Sequence, residues 1–271
     1  MLLHSQEEQY RELSTSIEDY LMSKENFGID PRIFQILDNA DSSESEIAGI
    51  EKMIDVNIAV RLRNMANSAY YGMMRRGEVN NFNDVITTLG MRPSKQFIMA
   101  IALFSRLGEE HKHLEIESFA ISLFAKMIAE QMSLVQSARE KAEIGGLFLN
   151  VGKLVIAMYE TKHRIKIEPS FIENYHRGFA VKIIEKFNLP EFLGTIITEE
   201  RLTLDHNSFS IQGIVYLAQS LVEKIIRKHS IIEMKSPMPQ LKDNLEVTIG
   251  SIMADYFSLI GMGKYLKVIP Y

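Results

Sequence analysis

The chain contains no cysteine among its 271 residues, which excludes disulfides, zinc thiolate sites and thiol nucleophiles and fits a reducing compartment. It also lacks an excess of positive charge. Thirty lysines and arginines face 35 aspartates and glutamates, giving a net charge of −5, so the molecule as a whole does not match nucleic acid or an anionic membrane electrostatically. No apolar run reaches the ~20 residues a bilayer requires. The longest, from Ile144 to Tyr159, is interrupted by Asn150 and Lys153 and reads as a buried helix. The start, Met1-Leu2-Leu3-His4-Ser5-Gln6-Glu7-Glu8, turns acidic without the basic segment and apolar core of a signal peptide. The expectation is a cytoplasmic protein with no membrane insertion. Phosphate-cradling Gly-Lys-Ser/Thr loops, Gly-x-Ser-x-Gly elbows and Gly-x-Gly-x-x-Gly turns are absent as well.

What is present is helical punctuation. Hydrophobic residues make up 46% of the chain, ample for a continuous core. Asp30-Pro31 and Ser43-Glu44-Ser45-Glu46 mark helix starts. Ala120, Leu123, Phe124, Met127 and Ile128 form one apolar stripe; Ile211, Ile214, Val215, Ala218, Val222, Ile225 and Ile226 form another. Leu89-Gly90 reads as a helix end, with Arg92-Pro93 separating it from the apolar segment Phe97 to Phe104. No alternating strand pattern and no fixed-period repeat is found. The fold class expected is all-α, a multi-helix domain with short loops. Met234 to Asn244, with Pro237 and Pro239, reads as a linker, and Leu245 to Leu266 as one more helix packing on the body.

Two motifs carry more than composition does. The first is Leu62-Arg63-Asn64-Met65-Ala66-Asn67-Ser68-Ala69-Tyr70-Tyr71-Gly72, followed by Val85-Ile86-Thr87-Thr88-Leu89-Gly90. The second is Gly145-Gly146-Leu147-Phe148-Leu149-Asn150-Val151-Gly152-Lys153-Leu154. In order and spacing they resemble the HDOD family, relatives of the HD phosphohydrolases found in bacterial signalling proteins. The resemblance runs from about Ile29 to about Glu200 and more loosely through a helix ending near His229. It implies an HD-like helical fold and three parts: residues 1–28 as an N-terminal helical extension, 29–230 as the HDOD-like domain, and 231–271 as linker and C-terminal helix.

The same resemblance locates the residues that hold metal in HD enzymes. Matched by register, the histidine before a serine falls at Ile121-Ser122, the His-Asp pair at Leu149-Asn150, and the terminal His-His pair near Glu199-Glu200. His176 is the one histidine kept, and Phe187 stands where a tryptophan is usual. Leucine has no lone pair, and a neutral amide ligates divalent metal far more weakly than a carboxylate. His176, Glu199 and Glu200 could supply three donors, but adjacent glutamates on a helix point roughly 100° apart. No metal, cofactor or catalytic residue is therefore expected; a residual phosphohydrolase around His176 is the alternative. His111-Lys112-His113 has ligand-like spacing but reads as a solvated turn in a loop. Gly145-Gly146 reads as a place for close helix approach or, less readily, as a helix start beside an anion, and Lys153 as a residue that snorkels, meets a carboxylate or contacts a ligand phosphate.

Charge is uneven. Between Val60 and Arg106 stand Arg61, Arg63, Arg75, Arg76, Arg92, Lys95 and Arg106, against only Glu78 and Asp84. On one face these could dock an acidic protein or a phosphorylated small ligand, whereas Glu44, Glu46, Glu51 and Asp55 nearby argue against nucleic acid. Asn67, Ser68, Tyr70, Tyr71 and Gly72 read first as the architecture of a helix end and second as a partner anchor. The reading is a bacterial signal-transduction module, a degenerate HD phosphohydrolase working by binding another signalling protein. A cyclic dinucleotide is an admissible ligand, though no residue demands one. Oligomeric state is left open.

Overall fold

Short-range capping sets the helix starts at Pro31 and Glu44. Asp30 accepts from the Arg32 amide just ahead of Pro31, and Ser43 and Glu46 close a reciprocal capping box. The computed structural model describes residues 2–23, 29–39, 41–68, 71, 79–198 and 210–227, and every regular element among them is a helix. In chain order these are α1 (Leu2–Met22), α2 (Pro31–Asp38), α3 (Glu44–Ile50), α4 (Val56–Ala66), α5 (Phe82–Leu89), α6 (Met91–Phe104), a 3-10 turn (Glu109–His111), α7 (Lys112–Gln131), α8 (Gln136–Phe148), α9 (Val151–His163), α10 (Pro169–Lys186), α11 (Phe192–Thr198) and α12 (Ile211–Arg227). They fall into two compact units, one comprising residues 1–28 and 103–218, the other residues 29–102 and 219–271.

The first unit is built around α7, which is buried on nearly every side from Leu114 to Ala129, so its apolar residues exceed a single amphipathic stripe. α8 lies against it at a glycine: a Cβ on Gly146 would sit 2.7 Å from the backbone nitrogen and Cα of Ser122. The Ser122 hydroxyl donates to the Glu143 carbonyl at 2.8 Å, and Lys126 Nζ lies 3.2 and 3.1 Å from the two carboxylate oxygens of the buried Glu143. On the other side, α1 buries Ile17, Tyr20 and Leu21. Its Tyr10 hydroxyl donates to Glu168 at 2.6 Å, its Glu18 pairs with Lys182, and Lys186 donates to the Leu21 carbonyl at its end.

In the second unit Ile33, Leu37, Ile50, Leu62, Phe82 and Val85 are buried. Asn67, the C-terminal cap of α4, spans to Val79 with both halves of its amide: Oδ1 accepts from the Val79 amide at 2.8 Å and Nδ2 donates to its carbonyl at 3.3 Å. Gly90 links α5 to α6 at φ +90°, a conformation that disfavours any residue with a Cβ.

Several sequence expectations change here. Arg92-Pro93 does not separate two elements. It lies in the first turn of α6, where a proline costs no intrahelical donor, and Gly90 alone makes the break. The run from Ile144 to Tyr159 is two helices rather than one, since Leu149-Asn150 forms a turn between α8 and α9. Residues 136–163 are long and apolar enough to pass as a membrane span by length and composition, and 94% of their apolar 18-residue window is buried in the fold. Gly145-Gly146 lies near the end of α8, so it is not a helix start; close approach is its role, with a Gly145 Cβ meeting Ile196 at 2.7 Å. The linker and helix expected over 234–266, and the end near His229, lie outside the described residues.

Candidate functional site

The positions that the resemblance matches to metal ligands fall on elements of the first unit: Ile121 on α7, Leu149 and Asn150 at the α8–α9 turn, and His176 on α10. Ile121 is 1% exposed and its backbone lies against Gly146. Leu149 and Asn150 are each buried, at 7%. Asn150 is the cap residue of α9, yet its side chain makes no capping hydrogen bond. Two residues on, α9 meets α10 so closely that a Cβ on Gly152 would overlap the His176 carbonyl oxygen, 1.7 Å away. This crossing sets Lys153 and His176 beside each other.

His176 is half-buried. Its Nδ1 faces the carbonyl oxygens of Ile172 at 2.9 Å and Glu173 at 3.0 Å. Both are acceptors, so Nδ1 is the donor and Nε2 carries the lone pair of the neutral ring. Burial, and then the charge of Lys153, hold the imidazole below its ordinary range, against smaller raising contributions from the Ile172 carbonyl and from Glu173. Lys153 is half-buried and has no ion pair or hydrogen bond among the described residues.

These side chains do not fit a divalent cation. Ile121 and Leu149 offer no lone pair, Asn150 a weak amide oxygen, and His176 one nitrogen with an ammonium next to it. No cluster of three His, Cys, Asp or Glu side chains suited to a metal ion occurs among the described residues. Glu199 and Glu200 lie outside them.

Of the basic residues between Val60 and Arg106, Arg63 pairs with Glu51, and Lys95 Nζ reaches both oxygens of Asp38 at 2.8 and 2.6 Å. Arg61 is half-buried and Arg92 is exposed, while Arg106, also exposed, belongs to the other unit. Arg75 and Arg76 lie outside the described residues, as do Tyr70 and Gly72. Ser68 is fully buried and its hydroxyl accepts from the Tyr71 amide at 3.5 Å; Tyr71 is 7% exposed and meets Phe97 edge-on.

His111 corrects the reading of a solvated loop. It closes the 3-10 turn ahead of α7 and its side chain is only 18% exposed. Its Nε2 lies 3.3 Å from Glu160, whose other oxygen accepts from the Ile167 amide at 2.6 Å. His113 remains exposed. The buried Lys126–Glu143 pair was also missed. Its signal was an ionisable residue inside each of two apolar stretches, which implies a partner.

Solved structures share this architecture. A Shewanella amazonensis protein named "Putative metal-dependent phosphohydrolase" is 17% identical with a TM-score of 0.64, the match covering 96% of this chain and 98% of that one. An HDOD domain protein with unknown function from Geobacter sulfurreducens is 18% identical with a TM-score of 0.51, covering 95% and 90%. At such identities the likeness is one of fold, an all-helical domain. No curated protein is a significant match. The HDOD domain model matches residues 29–201, and the chain belongs to the HDOD family.

Proposed function

We propose that this protein is a non-catalytic bacterial signalling module, cytoplasmic, that acts by binding another signalling protein. The observation that supports this most directly is Leu149 with Asn150 at the α8–α9 turn, where a water-activating ion would need strong donors and an open coordination position. The scaffold around that turn is kept by close glycine contacts at Gly146 and Gly152, so the framework stands apart from the chemistry. Asn67, Ser68 and Tyr71 serve the helix end in this reading, through the Asn67–Val79 bridge and the Tyr71–Phe97 contact. Exposed members of the basic set, such as Arg92, are left to meet an acidic partner.

Elemental mass spectrometry tests the reading, on untagged protein incubated with manganese and iron and then desalted. Folded, metal-free protein is expected. Near-stoichiometric metal that disappears in His176→Ala would overturn it in favour of a phosphohydrolase using His176.

A further inference from the structure

A dense run of exposed positive charge lies outside the Val60 to Arg106 set, where α9 ends and the chain turns toward α10. Lys162, His163, Arg164, Ile165 and Lys166 are consecutive and all exposed. Ile165 is 45% exposed although Ile167, two residues on, is 4% exposed, so one aliphatic side chain is held in solvent between two cations. The turn is fixed by its neighbours. Arg164 sits at φ +54°, a conformation few residues other than glycine adopt. The buried Glu160 takes three of the turn's amides: its carbonyl accepts from Arg164 and from Ile165 at 3.2 Å, and its carboxylate accepts from Ile167 at 2.6 Å. Ahead of the turn, Lys162 Nζ lies 5.0 Å from the centre of the Tyr20 ring and His163 stacks on Tyr159 at 4.2 Å. Cations in the last turn of a helix complement its dipole, which accounts for Lys162 and His163. It accounts neither for Lys166, past the helix end, nor for an isoleucine kept in water.

We propose that the turn from Lys162 to Lys166 docks an acidic segment of a partner protein, whose carboxylates meet Arg164 and Lys166 while one of its aliphatic side chains covers Ile165. The inference deepens the binding-module reading, on which it rests, by naming the surface and the chemistry it recognises. Charge complementarity sets the sign of the partner. Size sets its class. The acids that border the turn are Glu168, next in the chain and bonded to the Tyr10 hydroxyl at 2.6 Å, and Glu109 and Glu110 on the 3-10 turn, which is tied to the end of α9 by the Gly108 amide donating to Thr161 at 3.0 Å. A nucleic acid duplex or an anionic bilayer is wide enough to meet these carboxylates too and be repelled, whereas a short acidic segment reaches the cations alone. Holding the turn in one conformation before binding lowers the ordering cost of the contact.

The test uses the full chain and, as probe, a short fluorescent peptide alternating glutamate and leucine, read by anisotropy. Binding should saturate with the wild type and weaken about tenfold in Lys166→Glu, where a like charge faces the peptide, and about tenfold in Ile165→Ser, where the aliphatic contact is lost. Lys52→Glu, the same change of charge at an exposed lysine of the other unit, should leave it unchanged. A control needing no variant replaces the peptide's leucines by serine, which should weaken binding to the wild type. No saturable binding, equal binding of the serine peptide, or an equal loss in Lys52→Glu would overturn the proposal. So would phosphatidylglycerol vesicles or duplex DNA bound in the peptide's place and released by Lys166→Glu. Each of these leaves the metal-free reading intact, whereas metal held through His176, with peptide binding retained, would overturn that reading and keep this surface.

Discussion

Gly152 and the His176 carbonyl oxygen occupy the same point of contact between α9 and α10, with 1.7 Å separating that oxygen from where a Cβ would stand. The clash would be with backbone, which cannot rotate away as a side-chain tip can. Gly152→Ala is therefore expected to destabilise the protein by about 3 kcal/mol or more, at the upper end for overpacking. Gly178, further along α10, is exposed with nothing within 4 Å of its Cβ position, so Gly178→Ala should stabilise by about 0.5–1 kcal/mol through helix propensity. Urea unfolding of both variants checks the pair, and equal effects would refute the contact.

His176 should titrate below its ordinary value of 6.5. The unfolded chain then takes up a proton first as pH falls, so the histidine's contribution turns against the folded state below pH 6.5 and is complete once pH passes under the folded pKa. Lys153→Met should move the His176 pKa upward by removing a like charge. NMR titration of the ring reads both; an unmoved pKa would mean that Lys153 does not face it.

The Lys126–Glu143 pair is buried, with side-chain exposures of 11% and 1%. Removing one partner leaves an uncompensated charge, so Lys126→Met alone should cost about 3–5 kcal/mol. Adding Glu143→Leu should recover a large part of that loss. A double-mutant cycle with no coupling would show that the two groups are stabilised by other neighbours.

Asn67 bridges to both backbone groups of Val79. Asn67→Ala should lose about 1–3 kcal/mol, the cost of leaving such groups unsatisfied. Thermal unfolding measures it. A change within a few tenths of a kcal/mol would take the residue out of the architecture and return it to the surface motif.

The sequence showed the helices most clearly where their signals are local. Asp30-Pro31 and the Ser43–Glu46 box act within one turn, and both appear as read. Arg92-Pro93 was misread because a proline marks a break as readily as a first turn, and only Gly90's backbone decides between them. Close helix approach was legible at the paired Gly145-Gly146 but not at Gly152, a lone glycine whose partner stands 24 residues away in a different helix. His111 looked solvated among acidic neighbours because Glu160, the carboxylate it meets, is 49 residues on. Register pointed to Ile121, Leu149, Asn150 and His176, but the 1.7 Å approach that sets Gly152 against His176 depends on packing that no spacing reveals.

The docking of α1 also bears on how the chain is made. Tyr10 meets Glu168 across 158 positions, and Lys186 reaches the Leu21 carbonyl across 165. At roughly 5–20 residues per second, a ribosome exposes α1 on the order of ten to thirty seconds before the helix that receives it. During that interval Ile17, Tyr20 and Leu21 lack the cover of α9 and α10, so α1 emerges well before it can find its place, and synthesis leaves an apolar stripe for a chaperone to hold.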